Sequence, residues 1–188
     1  MKKLAIFASG GGSNAQKIHE YLQEHPFAKI DCIVVNNLNA GVISKAKNWD
    51  CEVINISKND FYKDSKISNL LISRGVDLVV LAGFLWLIPQ HLLQAFPQKI
   101  INIHPALLPK YGGRGMYGMN VHKAVFDAKE RTSGITIHTI DEEYDKGQII
   151  FQKSVEIESC KSPEEIADIV LKVEHENFAK TIHKYIQK

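Results

Sequence analysis

Cysteine, long apolar runs and net charge are all scarce in this sequence. Its three cysteines, Cys32, Cys51 and Cys160, have no metal-binding spacing among 188 residues. So sparse and odd a set argues against a disulfide framework and fits a reducing cytosol, so a cytoplasmic location is expected. Cys32 lies in an apolar strand-like run and reads as a small core residue. Runs such as Ala5-Ile6-Phe7-Ala8 fall far short of the ~20 apolar residues that span a bilayer. Lys2 and Lys3 open the chain, but the polar stretch from Ser9 to Asn14 interrupts the apolar run behind them, which argues against a signal peptide. With 23 basic and 21 acidic residues, the net charge of +2 supports neither a nucleic-acid partner nor an acidic membrane. No two of the eight histidines form a His-x-x-x-His pair, so no metal site is expected.

What is present is ordinary globular composition, 45% apolar and 23% charged, which argues against disorder. The length suits one domain over residues 1–188, able to bury roughly 70% of its unfolded surface without staples. Strand-like runs at residues 2–8, 30–35, 51–56, 78–82 and 99–104 alternate with helical periodicity at 13–25, 40–48, 61–74 and 89–96. Short connections between them predict an open parallel α/β sheet with helices on both faces. The pattern then changes. Residues 105–120 form a glycine- and proline-rich loop, and loops of that length in a compact chain are usually functional. A helix is predicted over 121–129. Two β-rich runs, 134–140 and 148–157, read as an antiparallel addition to the sheet. A closing helix over 162–185 begins with Ser162 as N-cap, Pro163 at the first helical position and Glu165 completing a capping box.

Three motifs stand out. Ser9-Gly10-Gly11-Gly12-Ser13-Asn14-Ala15 joins the first strand to the first helix, where glycines and free helix amides can cradle an anion. It formally matches a dinucleotide fingerprint, but Asn36 and Asn37 stand where a ribose-binding acid belongs, so a phosphate site without nicotinamide is the better reading. The bland alternative is a glycine turn with Ser13 as a simple N-cap. Second, Asn102-Ile103-His104-Pro105 closes the fifth strand, with Asn102 and His104 on one side by alternation. At the carboxyl end of a parallel strand this pair could donate to an oxyanion and exchange protons. A structural histidine ending a strand fits equally well. Third, the acidic segment from Asp141 to Gly147 offers a carboxylate that would raise and orient a neighbouring histidine, or else a solvated turn. His19, His25, His91 and His183 read as surface residues and His122 as structural. Residues 84–88 are apolar where a loop is expected, as core or as the wall of a flat-ring pocket.

Together these segments resemble the folate-dependent formyltransferases. The matching runs are Gly10-Gly11-Gly12-Ser13-Asn14, Leu81-Ala82-Gly83-Phe84, Asn102-Ile103-His104-Pro105-Ala106-Leu107-Leu108-Pro109, and Ser133-Gly134-Ile135-Thr136-Ile137-His138 through Asp145-x-Gly147-Gln148-Ile149-Ile150, in the family's order. The resemblance covers essentially the whole chain. It implies a Rossmann-like fold, with a phosphate-binding half at about 1–100 and a folate and catalytic half at about 80–188. It further implies formyl transfer from 10-formyltetrahydrofolate, as co-substrate, to the amine of phosphoribosylglycinamide (GAR) in purine synthesis. Asn102 would hold the oxyanion. His104, as imidazolium, would share that role and move protons, and Asp145 would raise the pKa of His104. Gly12, Ser13, Asn14 and Glu174 would bind GAR. Leu85, Trp86, Leu87 and Ile88 would flank the pterin, with Asn102 and the loop from Ile140 and Asp141 to Asp145 on its other side. Trp86 stands where many members carry Arg, and the segment from Tyr111 to Gly118, with Arg114, is longer than in many. A formyltetrahydrofolate hydrolase or a transfer-RNA formyltransferase would need domains that 188 residues are not expected to hold. A catalytically silent binding module is the alternative from another class. Monomer and homodimer are both compatible with this sequence.

Overall fold

The computed structural model describes residues 1–141 and 145–187. Among them, seven strands form one sheet: β1 (Lys2–Ala8), β2 (Ala28–Val35), β3 (Glu52–Asn55), β4 (Leu78–Leu81), β5 (Ile100–His104), β6 (Thr132–Thr139) and β7 (Ile149–Glu156). The order is β3-β2-β1-β4-β5-β6-β7. The first five strands are parallel, and β6 and β7 pair antiparallel at one edge. The mostly parallel sheet with an antiparallel addition is therefore as the sequence predicts.

Buried parallel strands are apolar on both faces, and β1 shows why the sheet needs two helical layers. Leu4, Ile6 and Ala8 point into one core with α1 (Ser13–Glu24), α2 (Val42–Asn48), α6 (Met119–Asp127) and α7 (Pro163–Ile186). Ala5 and Phe7 point into the other, with α3 (Lys58–Lys63), α4 (Lys66–Ser73) and α5 (Gln90–Ala95). Each large side chain fully buried there, such as Phe7 or Ile18, contributes roughly 1.5–3 kcal/mol. No helix among the described residues is long and apolar enough to cross a membrane.

Local chemistry moves several boundaries. The single helix expected over 61–74 is two, α3 and α4. Ser57 caps α3 by accepting from the Asp60 amide at 3.1 Å. Asp64 is extended and accepts from the Lys66 amide at 2.9 Å, a side-chain bond that competes with helix continuation. Pro89 lies outside α5, as its extended N-cap. At α7, Ser162 accepts from the Glu165 amide at 3.3 Å as expected, but the Glu165 carboxylate reaches past it to the Lys161 amide at 2.7 Å. The N-cap of α1 is Gly12, not Ser13, and no side chain among the described residues caps it.

Candidate active site

The glycine loop is shaped from below. Gly12 has φ +69°, and a Cβ there would lie 2.5 Å from Val42 Cβ, so only glycine fits. At Gly10 and Gly11 a Cβ would meet nothing within 4 Å among the described residues. The first helical bond of α1 runs from the Gln16 amide to the Gly12 carbonyl at 2.9 Å. The amides of Ser13, Asn14 and Ala15 precede it in a helix without a side-chain cap, which favours an anion. Asn14 is buried and donates to Glu174 Oε2 on α7 at 2.6 Å, so Gly12, Ser13, Asn14 and Glu174 come together. Burial pushes the Glu174 carboxyl up to about 7 against the opposing pull of the Asn14 amide. Asn14 Oδ1 is buried without a partner among the described residues.

Two hydrogen bonds tie this loop to the next. The Ser9 amide donates to the Gly83 carbonyl and Ser9 Oγ accepts from the Leu85 amide, both at 3.0 Å. Beyond them, Leu85 is 51% exposed and Leu87 36%, while Ile88 is buried in the second core rather than facing a ligand. Trp86 is half-buried, its ring centroid 5.6 Å from Phe61 and 6.1 Å from Phe84 and Tyr62.

β5 runs beside β4 with Leu81 opposite Asn102, which brings the second motif next to this segment. Ile101 and Ile103 belong to the first core and Ile100 to the second, so alternation puts Asn102 and His104 on the second face. The antiparallel register sets His138 opposite Asn102 and Thr136 opposite His104. His138, fully buried, gives its Nδ1 proton to the Thr139 carbonyl at 2.9 Å, so its Nε2 accepts from Asn102 Nδ2 at 3.2 Å. Asp145 completes the group. Its Oδ1 lies 3.6 Å from His138 Nε2 and its Oδ2 3.8 Å from His104 Nδ1. The Gly113 amide donates to Asp145 Oδ2 at 2.9 Å. His104 Nε2 donates to the Tyr111 carbonyl at 2.8 Å, leaving Nδ1 towards the carboxylate.

The expected lift of the His104 pKa is outweighed. Asp145 and the Tyr111 carbonyl do pull it up, but burial comes first and holds it below the ordinary histidine value. The pull of Asp145 expected on this ring is thus present but is the smaller influence. Burial likewise lowers His138 and His122.

Sequence reasoning assigned no role to His138 or Thr136. Thr136 Oγ1 donates to the Ala106 carbonyl at 2.7 Å and accepts from the Leu108 amide at 3.0 Å, bracing the loop after His104. The available signal was the strand alternation within Thr136-Ile137-His138, which becomes informative only once β6 is known to pair with β5. His19 and His183 are not simple surface residues, since they stack on Trp49 and Phe27 respectively. His91 bonds Ser68 and the Phe61 carbonyl. Ile140 bonds the Ile100 carbonyl through its amide at 3.0 Å, and Asp141 is exposed. Residues 142–144 of the acidic segment lie outside the described residues. No group of three His, Cys, Asp or Glu residues placed to hold a metal occurs among the described residues. A cavity of about 570 Å³ lies instead at the amino ends of β1 and β4, and there Lys2 is already paired with Asp77 at 3.1 Å.

The sequence profile described as Formyl transferase matches residues 2–182. The chain is 43% identical over 187 residues to the chloroplastic phosphoribosylglycinamide formyltransferase of Arabidopsis thaliana, covering 96% of this chain and 64% of that protein. It thus spans just under two thirds of that plant relative. It is 35% identical over 191 residues to the phosphoribosylglycinamide formyltransferase of Bacillus subtilis, covering 99% of this chain and 95% of that one. The crystal structure of glycinamide ribonucleotide transformylase 1 from Geobacillus kaustophilus superposes with TM-score 0.89 at 32% identity, covering 99% of both chains.

Proposed function

The chain belongs to the formyl transferase family, and on that premise we propose that it transfers the formyl group of 10-formyltetrahydrofolate to the amine of GAR. One observation carries the reading: an anion cradle at Gly10–Asn14 is stitched by Ser9 to the segment bordering the Asn102–His104–Asp145 cluster. Within the single domain, residues from about 1 to 100 supply the phosphate site and residues from about 80 to 188 the folate site and the chemistry. The three free cysteines fit a cytoplasmic protein.

GAR's phosphate sits on the first-turn amides of α1, and its ribose hydroxyls meet Glu174. The pterin lies between Leu85, Trp86 and Leu87 on one side and Ile140, Asp141 and Asp145 on the other, with Asn102 at its reacting end. The amine lone pair attacks the formyl carbon, and the C=O electron pair moves onto oxygen. Asn102 Nδ2 carries two protons; one is held by His138, which aims the other at that oxygen. A positioned oxyanion donor of this kind is worth on the order of 3–4 kcal/mol. His104 has Nε2 committed to Tyr111, so Nδ1 is the ring nitrogen that takes the amine proton. Asp145 stabilises the imidazolium formed. Its oxygens lie 3.6 Å from His138 Nε2 and 3.8 Å from His104 Nδ1, close enough for that charge stabilisation. The C–N10 bond then breaks, and the proton passes to the departing folate nitrogen.

The test is to follow formyl loss from a 10-formylfolate with and without GAR. GAR-dependent loss with formyl-GAR as product is expected. Loss independent of GAR would identify a hydrolase, and no loss at all a binding module.

A further inference from the structure

The short segment Tyr111-Gly112-Gly113 touches both titratable members of the proposed catalytic cluster. The Tyr111 carbonyl accepts from His104 Nε2 at 2.8 Å and the Gly113 amide donates to Asp145 Oδ2 at 2.9 Å. Between them, a Cβ on Gly112 would lie 2.6 Å from Leu108 Cδ2 and 3.3 Å from Asp145 Cβ, so the segment presses directly on the carboxylate side chain. The segment adopts this course because Tyr111 has φ +57°, a left-handed conformation that residues with a Cβ avoid unless their surroundings enforce it.

Glu130 supplies the enforcement. Its Oε1 accepts from Tyr111 Oη and from Lys110 Nζ, each at 2.9 Å. Glu130 is itself fixed behind α6 by the bond from its amide to the Val125 carbonyl at 3.3 Å. The Tyr111 ring packs against the first core, so the phenol is braced on its apolar side as well. The arrangement is a chain of contacts from a carboxylate outside the site, through a phenol and a left-handed backbone turn, to the ring nitrogen of His104.

We propose that Tyr111 and Glu130 are positioning residues for formyl transfer, holding the turn that keeps the His104 proton on Nε2 and presents Nδ1 to the reacting groups. This rests on the formyl-transfer reading for its kinetic part only. The tautomer of His104 can be read without turnover.

The test compares full-length Tyr111→Phe, Glu130→Ala and Glu130→Gln with the parent chain. Nitrogen-15 NMR reads the His104 tautomer, its signal assigned by loss in His104→Ala. Kinetics with GAR and a 10-formylfolate separate kcat from KM across pH. The groups facing His104 are Asp145, His138, His122 and the Tyr111 carbonyl; the variants leave the three side chains unaltered, so only the hold on the Tyr111 carbonyl changes. In the parent, the Nε2–H form is expected to dominate. Tyr111→Phe, which removes one oxygen, and Glu130→Ala are expected to mix the tautomers and lower kcat about tenfold, a modest cost for a displaced catalytic group, with KM unchanged for both substrates. Glu130→Gln keeps a carbonyl for the phenol and is expected to restore both readouts. A parent-like tautomer in Tyr111→Phe and Glu130→Ala overturns the proposal, as does a loss in Glu130→Gln equal to that in Glu130→Ala. If the parent turns nothing over while the tautomer still responds, the function reading fails and the positioning role stands.

Discussion

Asn102 on β5 and His138 on β6 face each other across the antiparallel pair, and the Asn102 amide donates to His138 Nε2 at 3.2 Å. The bond leaves one Asn102 amide proton unused by His138, and under the proposed reaction that proton meets the oxyanion. Asn102→Ala is expected to lower kcat by about 10²- to 10³-fold. His138→Asn, which loosens the aim without removing the donor, is expected to lower it by about tenfold. Equal losses in the two variants would show that His138 acts for itself rather than through Asn102.

His104→Ala should abolish turnover and leave the fold intact, because the ring's backbone partner, Tyr111, is held independently by Glu130. Circular dichroism and a 10-formylfolate assay on the same sample check both halves.

Three buried histidines, His104, His122 and His138, all have pKa values lowered by burial. With folded values below the unfolded one, the unfolded chain takes up protons first on acidification. The stability these neutral rings allow is present above about pH 6.5 and lost as pH falls below it. Urea midpoints should therefore drop between pH 7.5 and 5. Replacing His122, which touches neither Asn102 nor Asp145 by any hydrogen bond among the described residues, should reduce the drop.

Glu174 has the opposite sign. Its folded value, about 7, lies above the ordinary 4.5. Its contribution is fully present below 4.5 and lost as pH rises through 7, on the order of 3 kcal/mol in all. Glu174→Gln is thus expected to gain stability relative to the parent as pH rises from 5 to 8, while binding GAR more weakly. A difference in melting temperature that stays flat with pH would contradict this.

The glycine loop separates fold from ligand. Gly12→Ala meets Val42 in a left-handed backbone and is expected to cost stability. Gly11→Ala projects into open space and should leave the melting temperature unchanged while raising KM for GAR. Thermal melts beside steady-state kinetics distinguish the two.

The alternation of strands and helices, the Ser162 cap and the glycine loop were legible because they depend on local periodicity and backbone preference. Asn102 and His104 were legible as a pair for the same reason, since strand alternation puts them on one face. The break between α3 and α4 was not, because Asp64 could equally have continued a helix until its side chain took the Lys66 amide. The sequence by itself determined that an amide and an imidazole share one side of the strand end at Asn102 and His104, and that carboxylates gather in the segment from Asp141 to Asp145. The tertiary structure alone decided that β6 folds back on β5 to bring His138 to Asn102, and that Asn14 reaches Glu174 160 positions away. It also decided the direction in which the His104 pKa moves. A carboxylate beside a histidine raises its pKa, but the balance depends on how much water the fold removes, and here burial outweighs Asp145.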